Sequence, residues 1–191
     1  NMSYPTTPKP SKISISSDSV SFVSVTQNLR RQTRTTGAQS WSFELSYPPL
    51  NRSDFAPLWA FIISQKGQYS SFAYIPTIYG NTSGSATGTL LVNNGAGYVI
   101  GSSSIACDGL TGTLKAGGFI KFNGHDKVYM LTADATTTLT IEPSLITALV
   151  DNEAVTYNSV PFTMALDDNV QKMTADNSGF TSYKVKLTEV F

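Results

Sequence analysis

The stretch "SWSFELSY" constrains the fold of this chain more than any other. Trp41, Phe43, Leu45 and Tyr47 occupy every second position, with Ser42, Glu44 and Ser46 between them. Side chains of a strand point alternately to the two faces of a sheet. The pattern therefore asks for an antiparallel strand with one face in a core and the other in water, ended by Pro48 and Pro49. "KISIS" and "VSFVSVT" alternate in the same way. In the second of these the apolar phase moves from Val20/Phe22 to Val23/Val25, as a β-bulge would cause. "GFTSYKVKLTEVF" sets Tyr183, Val185 and Leu187 against Lys184, Lys186 and Thr188.

The remainder of the chain extends this pattern. "TLLVN", "GYVIGSSSI", "GFIKFN", "KVYMLT" and "TLTIEP" read as short strands, separated by the turn signals "NNGAG", "DGLTG", "KAGG", "NGHD" and "DATT". Such spacing suggests a small barrel or sandwich. Ser and Thr supply about a quarter of the residues, and only 14% are charged, a bias that suits strands better than helices. The fold class is all-β, mainly antiparallel, with one principal α-helix.

That helix is "SDFAPLWAFIISQKG", at about residues 54 to 66. Phe55, Leu58, Trp59 and Ile62 make one stripe at helical spacing, so it is a packing element. Ser53 or Asp54 is expected to cap its start and Gly67 its end. With Asp54 as the cap, Pro57 falls in the first turn, where its missing N–H breaks no bond. Phe61 and Ile63 widen the stripe and point to cover on more than one side. A further single helical turn is expected around Leu145, Ala148 and Leu149.

Three prolines between Pro5 and Pro10 make residues 1–12 an extended arm that lies across a surface. Asn1 ahead of Met2 reads as a leftover, with "MSYPTTP" as the natural start. "YGNTSGSATGT" is too small and polar to form core and marks a boundary. The organisation read from these signals is a hub of residues 1–80 and 152–191, with a β-rich insertion at 81–151.

The residues available for chemistry are few. Lys plus Arg and Asp plus Glu number 13 each, so net charge draws the chain to neither nucleic acid nor an acidic membrane. No apolar run reaches the ~20 residues of a membrane-spanning helix, and no secretion leader is visible, so a soluble chain is expected. One cysteine, Cys107, rules out an internal disulfide framework. A zinc set cannot be built from Cys107 and the single histidine, His125, and "DNEAVTYN" lacks the spacing of a calcium loop. His125 beside Asp126 reads as a turn residue, since no "GxSxG" elbow accompanies it. Glu142 and Glu153 make only a nominal carboxylate pair, and "GTLKAGG" is no phosphate-binding loop. The expectation is no catalytic residue, no metal and no cofactor.

The strongest local charge is Arg30, Arg31 and Arg34, just ahead of the half-buried strand. They can contact phosphate, with Trp41 stacking on a base. Alternatively they lie at a solvated strand end or turn and pair with carboxylates nearby or in another subunit. Trp41 shares its face with three other apolar residues, which makes it core and favours this second reading, without sequence-specific nucleic acid.

Longer ordered stretches carry a family resemblance. "MSYPTTP", "LRRQTRTTGAQSWSFELSYPPLNRSDFAPLWAFIISQKGQYSSF", "TGTLKAGGFIKFNGHDKVYMLTAD", "LTIEPSLITALVDNEAVTY", "VPFTMAL" and the terminal "EVF" resemble structural proteins of tailed bacteriophages. The group in question is the distal tail proteins of the tail tip or baseplate, and the resemblance spans nearly the whole chain. It implies a tail-tube-like hub, a split barrel or β-sandwich with a flanking helix, carrying an inserted small β-barrel. It further implies a ring, six-fold in the family, that continues the tail tube and contacts tube, hub and peripheral tail proteins in the virion. The ring further implies that Arg30, Arg31 and Arg34 meet a neighbouring subunit. Three other functions fit the residues: a tail tube subunit, a carbohydrate- or receptor-binding module using Tyr79, Tyr98 and Tyr129, and a small hydrolase using His125.

Overall fold

The alternation in "SWSFELSY" becomes part of a six-stranded sheet, paired antiparallel to the chain's last strand. A computed structural model describes residues 3–191; Asn1 and Met2, on which the reading of the chain's start falls, lie outside the described residues. The sheet contains β1 (Lys12–Val25), β2 (Arg31–Leu50), β3 (Ser71–Tyr74), β10 (Phe162–Leu166), β11 (Thr174–Ala175) and β12 (Thr181–Glu189). Its order is β1-β2-β12-β10-β3, with β11 also paired to β12. Between β3 and β10 the chain builds β4 (Thr87–Val92), β5 (Ser104–Thr111), β6 (Phe119–Phe122), β7 (Tyr129–Leu131), β8 (Thr138–Glu142) and β9 (Ala154–Thr156). These six close a barrel in the order β4-β5-β8-β7-β6-β9. The chain is thus mainly antiparallel β, with one α-helix among the described residues.

Two compact units result. The first, called the hub below, runs from the arm to Ser19, then Gln39–Tyr74 and Thr163–Val190; the second contains Val20–Ala38, Ile75–Phe162 and Phe191. In the hub, Tyr183 pairs with Tyr47, Val185 with Leu45 and Leu187 with Phe43, so the alternating apolar sets of β2 and β12 share one face. All six are buried. Glu44 and Lys184, on the other face, lie 3.8 Å apart at the surface.

Helix α1 (Arg52–Ser64) covers the apolar face. Phe55, Leu58 and Ile62 are buried, while Trp59 is half-buried and stands edge-on to Tyr183 at 5.7 Å. Phe61 packs against Tyr4 and Phe72, whereas Ile63 on the far side is 54% exposed. The helix starts earlier than the sequence reading places it. Asn51, not Ser53 or Asp54, is the cap, its Oδ1 accepting from the Asp54 N–H at 2.9 Å and from the Ser53 hydroxyl at 2.7 Å. Pro57 consequently sits beyond the first turn, and the exposed Ser53 carbonyl lacks its usual donor four residues on. The end is Gln65, ahead of Gly67.

The N-terminal arm enters the core instead of only crossing a surface. Ser3 makes a parallel bridge to Ala73, and the Tyr4 N–H donates to the Ala73 carbonyl at 2.8 Å. The Tyr4 ring is buried among Phe61, Phe72 and Tyr74, with centroids 5.4 to 5.6 Å away. Its hydroxyl lies 2.9 Å from that of Tyr47. The outer edge of β3 is therefore covered by the chain's own arm, while β1 forms the other edge of the sheet.

The barrel is filled by residues such as Leu90, Ile105, Ile120, Phe122, Leu139 and Ile141, none more than 1% exposed. Strand assignments differ from the sequence reading in one informative place. "DGLTG", read as a turn, is strand: β5 runs through Asp108, Gly109 and Leu110. Gly88 and Gly109 lie where the β4–β5 register shifts, both at positive φ, +99° and +76°. A Cβ on Gly109 would fall 2.1 Å from the Thr89 carbonyl oxygen, and one on Gly88 would fall 2.4 Å from that of Gly109. Glycine here permits a bulge and close strand approach, a use that shares its sequence signal with turns. "GYVIG", read as the start of a strand, is loop. The segment around Leu145 and Leu149 is not helical; both are buried but Ala148 is exposed.

The barrel's closing strand β9 lies beyond residue 151, where the sequence reading ends the insertion. The two ends of the inserted segment are held together: the Val160 N–H donates to the Gly80 carbonyl at 2.9 Å, and the Ser159 N–H to Asn81 Oδ1 at 2.9 Å. Replacing residues 81–159 by a short Gly/Ser linker is therefore expected to leave a folded hub. Both tryptophans, Trp41 and Trp59, lie in the hub. Cooperative urea unfolding followed by their fluorescence checks the outcome; a broad, featureless transition would mean that hub and insertion share one core.

Candidate functional site

The residues least explained by the fold's own packing are in the β1–β2 hairpin. β12 pairs with β2 from Ser42 to Leu50, so the outer half of β2 pairs with β1 in a two-stranded ribbon. Every residue from Ser16 to Ala38 is exposed. The strand residues from Ser16 to Val25 span roughly 30 Å at ~3.3 Å each. Val20, Phe22, Val23 and Val25 are 50 to 62% exposed, so the shift in apolar phase does not exchange a core face for a solvent face. A ribbon of two strands carries apolar side chains on both faces with nothing of its own to bury them.

The tip is a three-residue loop, Gln27-Asn28-Leu29, between Thr26 and Arg30. The Thr26 N–H donates to the Arg30 carbonyl at 3.0 Å, and the Leu29 N–H to the Thr26 carbonyl at 2.9 Å. Leu29 has φ +59°, the left-handed conformation that glycine or asparagine usually supplies at this place in a hairpin. It is also 86% exposed. A branched apolar residue held in a costly conformation with its side chain in water contributes nothing visible to the fold. Leu29→Gly is expected to remove about 1 kcal/mol of strain. Slower amide exchange at Thr26 would report it; faster exchange would show that Leu29 supports the tip.

Arg30 closes the loop, and Arg31 and Arg34 follow on β2, all exposed. No carboxylate lies within salt-bridge distance of any of the three among the described residues. Trp41 is 5% exposed and in the core, so it cannot stack on a base beside them. The packing residues Phe55, Leu58, Trp59 and Ile62 lie on α1 and take no part in this surface.

The barrel presents a second uncovered patch. Segments around Tyr98 and Leu149 form an antiparallel bridge with reciprocal hydrogen bonds of 3.0 and 2.9 Å, and the Gly101 N–H donates to the Leu145 carbonyl at 2.8 Å. This pair of segments holds Val99, Ile100 and Val150 outward at 75, 66 and 66% exposure. Asp151 follows directly, exposed, its Oδ1 accepting from the Asn94 N–H at 2.9 Å.

The other candidates are dispersed. His125 is buried, its Nε2 3.6 Å from Glu153 Oε1, and its ring packs on Phe122 and Tyr129. Nδ1 has no hydrogen-bond partner among the described residues, and the contact made by Nε2 is with a carboxylate and not with a nucleophilic serine or cysteine. The nucleophile–base contact that hydrolysis would require is not formed. Glu142 is on β8, exposed. Burial pushes the Cys107 thiol up to about 11, with the Asp108 charge adding to it, so it is a poor nucleophile at neutral pH. No group of three His, Cys, Asp or Glu residues suited to a metal occurs among the described residues. The three tyrosines do not make one platform. Tyr129 is fully buried, the Tyr98 hydroxyl is engaged by the Ala106 N–H at 2.7 Å, and Tyr79 alone is exposed.

Lys127 escaped sequence reasoning. It is 0% exposed, with Nζ 4.9 Å from the Phe191 ring centroid. "GHDKV" looks like a solvated turn, and nothing local signals that this lysine is inside. No protein-family model and no curated protein matches the chain.

Proposed function

We propose that the chain is a structural subunit of a bacteriophage tail tip or baseplate, assembling as a ring, six-fold by family resemblance, that continues the tail tube and contacts neighbouring tail proteins in the virion. The observation that carries the reading is the exposed hairpin. Val20, Phe22, Val23, Val25 and Leu29 stand in water there beside three arginines, on a chain whose hub and barrel already have their own cores. Such a ribbon suits a protein whose surface is completed by other copies. The resemblance of the long sequence stretches supports the same class. Light scattering on the purified protein and negative-stain images test it: a ring with a central hole is the expected particle, and a monomer at all concentrations would refute it.

The arginines are read as contacts to protein and not to DNA. Replacing Arg30, Arg31 and Arg34 together by serine is expected to weaken assembly by up to about 1 kcal/mol per pair and to lessen its salt dependence. The monomer's melting temperature should hardly move, since exposed substitutions of this kind stay within about 0.5 kcal/mol. If the arginines bind phosphate instead, the wild type will show DNA affinity falling steeply with salt, the variant will lose it, and the ring will persist.

A further inference from the structure

The hairpin and the segment that holds the barrel carry opposite net charge. Residues 19–38 contain Arg30, Arg31 and Arg34 and no acidic residue, a net charge of +3. Residues 75–162, which include the barrel, hold six carboxylates, Asp108, Asp126, Asp134, Glu142, Asp151 and Glu153, against three lysines, a net charge of −3 with His125 neutral. Everything else in the chain is balanced, seven against seven. A neutral protein therefore carries its excess cations on one element and its excess anions on another segment. Both elements also expose aliphatic side chains: Val20, Val23, Val25 and Leu29 on the hairpin, and Val99, Ile100 and Val150 beside Asp151 on the barrel.

We infer that the hairpin tip of one copy docks on the Val99/Ile100/Val150 end of the barrel of the next, with Leu29 at the apolar centre and the arginines facing Asp151. This inference rests on the ring reading and specifies its joint. Within a single chain both patches remain in water, so their complementarity is unmet until a second copy supplies it. Tip-to-tip pairing of two copies would instead bring +3 against +3 with no carboxylate between them, and like charges at an interface oppose association. A contact between two different patches is heterologous, the kind that closes rings. The barrel patch is held by reciprocal backbone hydrogen bonds, so little ordering has to accompany docking there.

Cysteine cross-linking tests the joint on the full chain, with the wild type and its buried Cys107 as the oxidation control. Leu29→Cys and Val150→Cys are made as separate proteins, each at an exposed position. The expected result is a disulfide-linked dimer when the two are mixed and oxidised, and none from either alone. A dimer from Leu29→Cys alone would show tip-to-tip pairing and overturn the inference. Assembly seen by light scattering without a mixed cross-link would place the joint elsewhere, leaving the ring reading intact. Absence of any assembly would remove both. As an independent check, Arg31→Asp should reduce self-association several-fold, and Asp151→Arg in the same chain should restore part of it; no restoration would mean that these charges do not meet.

Discussion

Gly109→Ala is expected to cost the barrel about 3 kcal/mol or more, a large share of the ~5–15 kcal/mol that stabilises an ordinary domain. Two penalties combine. An L side chain at φ +76° costs about 1–2 kcal/mol by itself. The new Cβ would also stand 2.1 Å from the Thr89 carbonyl oxygen, and that oxygen belongs to strand backbone that cannot rotate away as a side chain would. β4 and β5 have to separate, loosening the junction at which Leu90 and Cys107 enter the core. Gly95→Ala makes the control, because nothing lies within 4 Å of a Cβ there and its φ is unexceptional. Urea unfolding followed by far-ultraviolet circular dichroism reads both units, and tryptophan fluorescence reads the hub alone. The expected variant loses barrel stability with the fluorescence transition less affected; equal midpoints for Gly109→Ala and Gly95→Ala would show that the bulge tolerates a side chain.

Strong alkali is expected to unfold the hub more abruptly than its surface charge would suggest. Tyr4, Tyr47, Tyr74 and Tyr183 are each 6% exposed or less, and burial raises all four phenols. Tyr47 is pushed up to about 12, burial being partly opposed by its hydrogen bond with Tyr4. For Tyr4, Tyr74 and Tyr183 burial is again the main cause, and the charge of neighbouring phenols raises them further. An unfolded tyrosine ionises near ~10, so above that pH the unfolded chain releases protons that the folded hub retains. The stabilisation is complete below pH ~10 and declines as pH rises, through about 12 for Tyr47 and higher for the others. Each group contributes a slope of up to about 1.4 kcal/mol per pH unit, so four together can exhaust an ordinary stability within roughly two units. Phenolate absorbance and tryptophan fluorescence should change together. Independent ionisation of the phenols near pH ~10, with the fold intact, would contradict the burial of this cluster.

What could be read beforehand divides along physical lines. "SWSFELSY" was legible because one of its faces is buried against a helix and a neighbouring strand, and burial imposes the period of two. The stripe of α1 was legible for the same reason, whereas its first residue was not. Asn51, Ser53 and Asp54 are all capable caps, and the choice depends on where β2, which runs on to Leu50, releases the chain, a matter of sheet length. Glycine misled at "DGLTG", since positive φ serves a bulge as well as a turn. Lys127 was hidden because burial of a single charged side chain is decided by contacts distant in sequence. The hairpin was legible as strand, and its exposure was not, because apolar alternation looks the same whether the covering surface belongs to this chain or to another.

The arm also decides how many margins of the hub sheet stay open. Unpaired strand backbone invites further strands, and a sheet open at both ends can recruit without limit. Here Ser3 and Tyr4 occupy the β3 side, so the hub's remaining vacant ladder positions are gathered along β1. With the arm in place the hub sheet leaves unpaired strand backbone on one margin, and with it displaced there would be two, on opposite sides of the same sheet. A single aromatic side chain, Tyr4, buried among Phe61, Phe72 and Tyr74, anchors the segment that covers this margin.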